Sequence, residues 1–276
     1  AEDWTSTASL EAHPELKFFA AHYDSIAATS WQPKGQTMSG LYNGMIHPLL
    51  PFSIAGIAWY QGEANNVRAY QYAVVLENMI NNWRKDFEQD DLPFLIVQIA
   101  PHKDMSPELR EAQLQVSKQV KRCALIITTD CGDSLDIHPA WKQPVGARLA
   151  LAARAVAYQE KITYSGPELK SYKVKGGYLI LNFASGGSGL STNDGQPVKG
   201  FEIAGADGQF VPANVKLRKR KVIVYNPTVP RPGAVRYGWA NVPNVNLCNS
   251  EGLPASPFRT DHTDPGIQLR NTSLIQ

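Results

Sequence analysis

The sequence predicts an α/β domain built on a parallel sheet flanked by helices, followed by a small β-sandwich. Two observations carry that prediction. Up to about residue 160, short apolar runs alternate with stretches whose apolar residues recur at helical spacing, the signature of a parallel sheet covered on both faces. Beyond Tyr164 the runs are short and strand-like, punctuated by Gly, Pro and Asn, with no helical stretch of any length between them. The expected division is 1–162 for the α/β part and 163–276 for the β-rich part and its tail.

Taken in order, Ser53–Tyr60 (SIAGIAWY) is rich in β-formers and reads as a buried strand. Val67–Phe87 follows as a helix, with Tyr70, Val74, Ile80 and Trp83 near one face. Leu92–Ala100 is the second strand, and the next helix opens with Ser106 as N-cap and Pro107 at its first position. Cys123–Thr129 is the third strand and Pro144–Tyr158 the third helix. The later strands are Tyr178–Ala184, Phe201–Ile203, Val222–Tyr225 and Val235–Gly238, and the last fifteen or so residues read as a tail. Gly186-Gly187-Ser188-Gly189 is a turn and not a phosphate cradle, because no helix follows it.

Composition narrows the function classes. The chain is 43% hydrophobic and 19% charged, with a formal net charge of +2. A balance so near neutral gives no reason to expect nucleic acid or an anionic membrane as partner. No apolar run approaches the ~20 residues needed to span a bilayer. Cys123, Cys131 and Cys248 have no metal-binding spacing, and one disulfide among them is open. The first residue is Ala1 and no apolar signal segment follows, so the chain reads as a processed or truncated product whose start lies upstream.

In parallel α/β sheets, binding residues collect in the loops beyond the C-terminal ends of the strands. That rule selects residues 60–66, 101–106 and 130–139. His138, in Asp136-Ile137-His138-Pro139, is placed as a general base, since an imidazole accepts and returns a proton near neutral pH. Asp136 could hold its far ring nitrogen; the bland alternative is a loop histidine next to a helix start. In Tyr60-Gln61-Gly62-Glu63-Ala64-Asn65, Gly62 permits a tight turn, and Gln61 or Asn65 could donate to a developing oxyanion. Glu63 is either a second acid that orients His138 or a structural carboxylate. Arg110 could grip a substrate carboxylate bidentately or simply be solvated on its helix. His13, His22 and His262 sit in polar surroundings, and His47 and His102 lie near strand-end loops. None has metal-ligand spacing, so no metal site is expected.

These blocks occur in a known order: Leu41-Tyr42-Asn43-Gly44-Met45-Ile46-His47-Pro48, then Trp59-Tyr60-Gln61-Gly62-Glu63-Ala64-Asn65, then Arg110-Glu111-Ala112-Gln113, then Asp136-Ile137-His138-Pro139 and Gly146-Ala147-Arg148-Leu149-Ala150. Together they resemble the sialate O-acetylesterases, a branch of the SGNH hydrolases. The resemblance continues through Phe201-Glu202-Ile203 and Arg236-Tyr237-Gly238-Trp239 to Leu253-Pro254-Ala255-Ser256-Pro257-Phe258.

It implies an SGNH-like sheet and removal of acetyl groups from sugar hydroxyls, typically of O-acetylated sialic acid, by a serine acyl-enzyme without metal or organic cofactor. His138 is then the base, and Gln61 stands in the block that supplies an oxyanion-hole side chain, with Gly62 and Glu63 flanking it. The substrate class further implies an extracytoplasmic location, whether periplasmic, secreted or lysosomal-type.

Two departures stand out. The Asp common three residues before the histidine is replaced by Leu135, with Asp136 one position closer. The family's nucleophile segment, Gly-Gln-Ser-Asn-Met, is absent. Gly35-Gln36-Thr37-Met38-Ser39-Gly40 imitates it with the serine displaced. The serine is therefore expected on an N-terminal half of the same protein, missing or retained as a separate chain, and this fragment alone is expected to be inactive. Acetylxylan or another glycan as substrate, and an inactive carbohydrate-binding protein, are the competing readings.

Overall fold

Short apolar runs form strands here only where a neighbouring strand completes the ladder. A computed structural model describes residues 1–21, 38–184 and 187–261. His22, Gly35-Gln36-Thr37, Gly186, His262 and the expected tail lie outside the described residues. Two compact units result: 1–99, 108–126 and 143–162 form the first, and 100–107, 127–142 and 163 onward the second. The loops that follow the second and third strands thus belong to the second unit.

The first unit opens with two short helices that the sequence reading did not anticipate, α1 (Thr7–Ala12), capped by the Ser6 hydroxyl accepting from Ser9 N–H, and α2 (Lys17–Ala21). Its sheet has three parallel strands in the order β1 (Ile57–Trp59), β2 (Phe94–Val97) and β3 (Cys123–Ile126). Ile57 pairs with Phe94 and Trp59 with Ile96, while Phe94 pairs with Cys123 and Val97 with Ile126. All four residues of β2 are buried, as a central strand covered on both faces requires.

Each strand is shorter than its apolar run because the flanking residues leave the ladder. The connecting helices are α3 (Ala69–Asp86) after β1, α4 (Pro107–Gln119) after β2 and α5 (Gln143–Val156) after β3. Residues 63–68 form a separate 3-10 turn ahead of α3.

Aromatic packing seats α3 on the sheet. Trp83 meets Trp59 edge-on at 5.8 Å and Phe94 at 6.0 Å, and its indole N–H donates to the Trp4 carbonyl at 2.7 Å. Beside it, the buried Arg84 guanidinium donates to Leu92 O at 2.9 and 3.1 Å and to Lys121 O at 2.7 Å, joining the entries of β2 and β3.

Among the described residues β1 pairs on one side only, and its Ala58 is exposed. Near it lies an apolar pocket of about 420 Å³ lined by Ile46, Leu49, Phe52, Ile54, Ile57 and Trp83, with Met45, Leu49 and Phe52 exposed.

The second unit is a sandwich. One antiparallel sheet has the order β4 (Glu168–Lys175), β5 (Tyr178–Ala184), β10 (Lys221–Tyr225) and β9 (Asn214–Arg218). The other has the order β13 (Phe258–Arg259), β11 (Ala234–Tyr237), β7 (Phe201–Ala204) and β8 (Val211–Pro212). A two-stranded pair, β6 (Leu190–Thr192) with β12 (Leu247–Asn249), completes it.

Leu179, Leu181 and Val222 from one sheet share a core with Ile203, Val235 and Tyr237 from the other, and Phe183 touches Phe258 across the layers at 5.9 Å. β4 is a strand that no apolar run announces. Its ELKSYKVK is mostly exposed and lysine-rich, the composition of an edge strand and not of a core one.

Arg84 gives the first test. Arg84→Met leaves the buried Leu92 and Lys121 carbonyls without a donor and should lower urea stability by roughly 2–3 kcal/mol. Arg84→Lys should recover little, because an ammonium cannot reproduce the planar fork. An unchanged midpoint in either variant would show that the guanidinium is not what joins these strands.

Candidate functional site

In the first unit the Gln61-Gly62-Glu63 turn is held from below. The Gln61 carbonyl accepts from the Tyr72 hydroxyl at 2.7 Å and from Gln113 Nε2 at 3.2 Å. Gln113, fully buried on α4, also accepts from Ile99 N–H at 2.9 Å and donates to Val97 O at 3.3 Å. A side-chain amide thus continues the sheet's hydrogen bonding past the last ladder pair. Gly62 fits because it lacks a side chain: a Cβ there would stand 2.9 Å from Ile99 Cγ2 and 3.3 Å from Gln113 Nε2. Glu63 is half-buried at the first position of the 3-10 turn.

The side chains above this floor differ in availability. Asn65 is buried, its Nδ2 directed at both oxygens of Glu2 at 2.9 Å and its Oδ1 accepting from Gln61 Nε2 at 2.9 Å. It braces Gln61. Gln61 Oε1 is buried with no hydrogen-bond partner, so the unmet capacity of this amide is that of an acceptor, while its Nε2 donates to Asn65.

Arg110 corrects an expectation. It does not face solvent. It is fully buried, and its Nε donates to Ile99 O at 3.2 Å. Burial lowers its pKa to about 10, against the opposing pull of Glu108. Gln113 and Tyr72, which hold the turn, stand outside the strand-end loops that the sequence singles out. The available signal was a glutamine three residues after Arg110 on the same helix, which puts both on one face.

In the second unit, His138 is exposed in a loop organised by two aspartates. Asp133 Oδ1 accepts from Leu135 N–H at 2.8 Å and Asp136 N–H at 3.2 Å, and these two bonds lower its pKa. Asp136 Oδ1 accepts from the backbone N–H of His138 at 2.8 Å. Asp136 therefore holds the histidine's main chain and not its ring.

The neighbouring strand-end loop is tied to this one. Lys103 N–H donates to Ser134 O at 3.1 Å, and Gly132 packs so closely that a Cβ would stand 2.4 Å from Pro101 Cδ. Asn241 Nδ2 in turn donates to Lys103 O at 2.5 Å. His102 is buried there, its Nδ1 accepting from Asp104 N–H at 3.2 Å.

Ser39, the displaced serine of the Gly35–Gly40 stretch, is fully buried, and its Oγ accepts from the Thr7 hydroxyl at 2.9 Å. Among the described residues no group of three or more His, Cys, Asp or Glu could hold a metal ion, and the three cysteines are free thiols. No described helix is long and apolar enough to cross a membrane.

Residues 21–155 match the carbohydrate esterases described as sialic acid-specific acetylesterases. The sialate O-acetylesterase of Homo sapiens is 29% identical, with 96% of this chain and 56% of that protein covered; that of Rattus norvegicus is 30% identical, covering 84% and 48%. Among solved structures, a carbohydrate acetylesterase from Xanthomonas citri superposes with a TM-score of 0.83 at 40% identity, over 95% of this chain and 58% of that one. The chain spans about half the length of the curated relatives it matches.

The two loops make separable predictions. Gly62→Ala should cost about 1–3 kcal/mol in denaturant melts, since the added methyl meets a fixed core side chain; a neutral result would remove the packing argument for that glycine. Asp133's lowered pKa means its contribution is complete above the unfolded carboxyl value and is lost as pH falls through the folded one. Amide protection at Leu135 and Asp136 should therefore persist below pH 3.8, and loss of protection well above that pH in hydrogen exchange would contradict the aspartate-held loop.

Proposed function

The chain belongs to the sialic acid-specific acetylesterase family of carbohydrate esterases, and from that premise we propose that it is the histidine-bearing portion of a carbohydrate O-acetylesterase. The observation that carries this reading is His138, exposed at a loop whose main chain is fixed by Asp136 at 2.8 Å. An imidazole held by its backbone, with its ring left to solvent, suits a general base.

In the proposed reaction, His138 takes the proton of a serine hydroxyl as the serine oxygen attacks the acetyl carbonyl. The imidazolium then protonates the departing sugar oxygen, the ester C–O bond breaks, and an acetyl-serine remains. A water, deprotonated by the same imidazole, attacks that ester; acetate leaves and the serine recovers its proton. Gln61 is assigned the oxyanion-binding role that its block has in the family.

We place the serine on polypeptide outside this chain, the N-terminal half of the protein. Ser39 is buried and bonded to Thr7, the relatives are about twice as long, and the β1 edge, unpaired on one side among the described residues, is with its apolar pocket the kind of surface a further strand would cover. From the acetylated-glycan substrate class we infer an extracytoplasmic location.

O-acetylated sialic acid is the substrate the family match supports. The burial of Arg110 favours a second reading: the candidate grip for a sialic acid carboxylate is internal, so a neutral acetylated glycan such as acetylxylan fits the remaining groups equally.

Acetate release tests both readings. This chain alone should be inactive on p-nitrophenyl acetate, and its union with the N-terminal half active on acetylated glycans. His138→Ala in that active form should lower kcat by about 10³-fold or more. Asp136→Asn, which keeps an oxygen for the His138 N–H, should stay near wild type while Asp136→Ala falls. Full activity of the lone chain, or of His138→Ala, would overturn the assignment. A comparison of acetylxylan with O-acetylated sialic acid decides between the substrates.

A further inference from the structure

The register of the β4-β5-β10-β9 sheet collects an unusual set of side chains on one face. Leu179, Leu181, Val222 and Val224 point into the core, so the alternate residues point outward. Cross-strand pairing then aligns Lys175 with Tyr178, Lys173 with Ile180 and Ser171 with Asn182; Lys221 lies between Asn182 and Arg218, and Ile223 between Ile180 and Lys216. The outward positions from 171 onward on β4, with those of β5, β10 and β9, therefore carry five cations and no carboxylate. Glu168 lies past the β-bulge at Leu169/Ser171, opposite Ala184.

At one end of the face, Tyr178 and Tyr225 form a tilted pair with centroids 5.3 Å apart, and Lys216 Nζ stands 5.2 Å above the Tyr225 ring. Tyr178 is 45% exposed. Asn182 donates to Ser171 Oγ at 3.2 Å, adding a polar pair between the strands.

We propose that this face is a binding surface for a carboxylate-bearing glycan, separate from the ester-cleaving chemistry. Charge complementarity argues for an anionic ligand. The chain's formal net charge is only +2, so five outward cations on one sheet face are a local concentration. Guarding of sheet edges accounts for lysines on β4 and β9, the two outer strands. It does not account for Lys221 on the inner strand β10, nor for a half-exposed tyrosine pair reaching across β5 and β10.

A flat face with aromatic rings beside cations suits a polymer that offers ring faces to the tyrosines and charges to the lysines. With strands spaced about 4.8 Å, the four-stranded face is roughly 14 Å wide, enough for an extended chain of sugars. The family's carbohydrate chemistry selects a glycan over other polyanions. The surface would hold the polymer, in addition to whatever sugar is deacetylated, so binding should survive in a catalytically inactive chain.

Titration of the full chain with polygalacturonate, its methyl-esterified neutral counterpart and single-stranded oligothymidylate tests the idea. Polygalacturonate should bind, with affinity falling as salt rises, and the methyl ester should bind at least tenfold more weakly. Combined Lys173→Glu, Lys216→Glu and Lys221→Glu should abolish the salt-sensitive part. Tyr178→Ala should weaken binding severalfold while leaving the salt slope unchanged. Milder Lys→Gln variants at the same sites should reproduce the charge effect without threatening the fold. Equal binding of the neutral polymer, tighter binding of oligothymidylate, or insensitivity to the lysine changes would each overturn the proposal.

Discussion

The first unit depends on how the parallel ladder ends. Past Gln98, whose N–H still donates to Ile126 O at 2.9 Å, the sheet stops offering partners, yet Ile99 is buried, and an orphaned buried amide or carbonyl costs about 1–3 kcal/mol. Helix α4 resolves this with two side chains on one face. Gln113 takes the Ile99 N–H and Arg110 donates to the Ile99 carbonyl. The same glutamine reaches the Val97 and Gln61 carbonyls, so the turn after β1 is anchored by the helix after β2. Gly62, packed on Ile99 with no room for a side chain, is a consequence of that anchoring. The Gln61 main chain is thereby held by Tyr72 and Gln113, and its side-chain amide by Asn65.

The His138 loop is stabilised by a different principle. Its shape comes from short-range bonds in which aspartate oxygens replace missing backbone partners. Such a loop needs little burial to keep its form, which leaves the imidazole at the surface. The close approach of Gly132 to Pro101 and the Lys103–Ser134 bond then couple it to the preceding strand-end loop. A carboxylate in a triad-like sequence can thus act through the main chain of its histidine, a role that motif spacing alone does not distinguish from a contact to the ring.

The sandwich shows how alternation divides labour along one strand. In β5 and β10 the inward residues are Leu179, Leu181, Val222 and Val224, without exposed surface, and their neighbours form the cationic, tyrosine-bearing outer face. A one-residue slip would bury the lysines and expose the core, so the hydrophobic pattern that fixes the register also fixes the charged face. That face is invisible in the overall charge, because cations from three strands are brought together only by pairing.

What the sequence determined by itself was local and periodic. The alternation of apolar runs and helical stretches established a parallel sheet with helices and a β-rich remainder, since strand and helix periods are written directly in residue spacing. Pro107 at the head of α4 and the span of β5 were legible for the same reason. The ordered blocks around Gln61 and His138 pointed to an acetylesterase. Strand ends were not legible, because a ladder stops where its partner stops. Nor was the burial of Arg110 or the main-chain partner of Asp136, since a charged side chain on a helix or in a loop reads alike whether it faces water or a buried carbonyl. Only the tertiary structure, by setting which backbone groups lack partners, decided what those polar residues do.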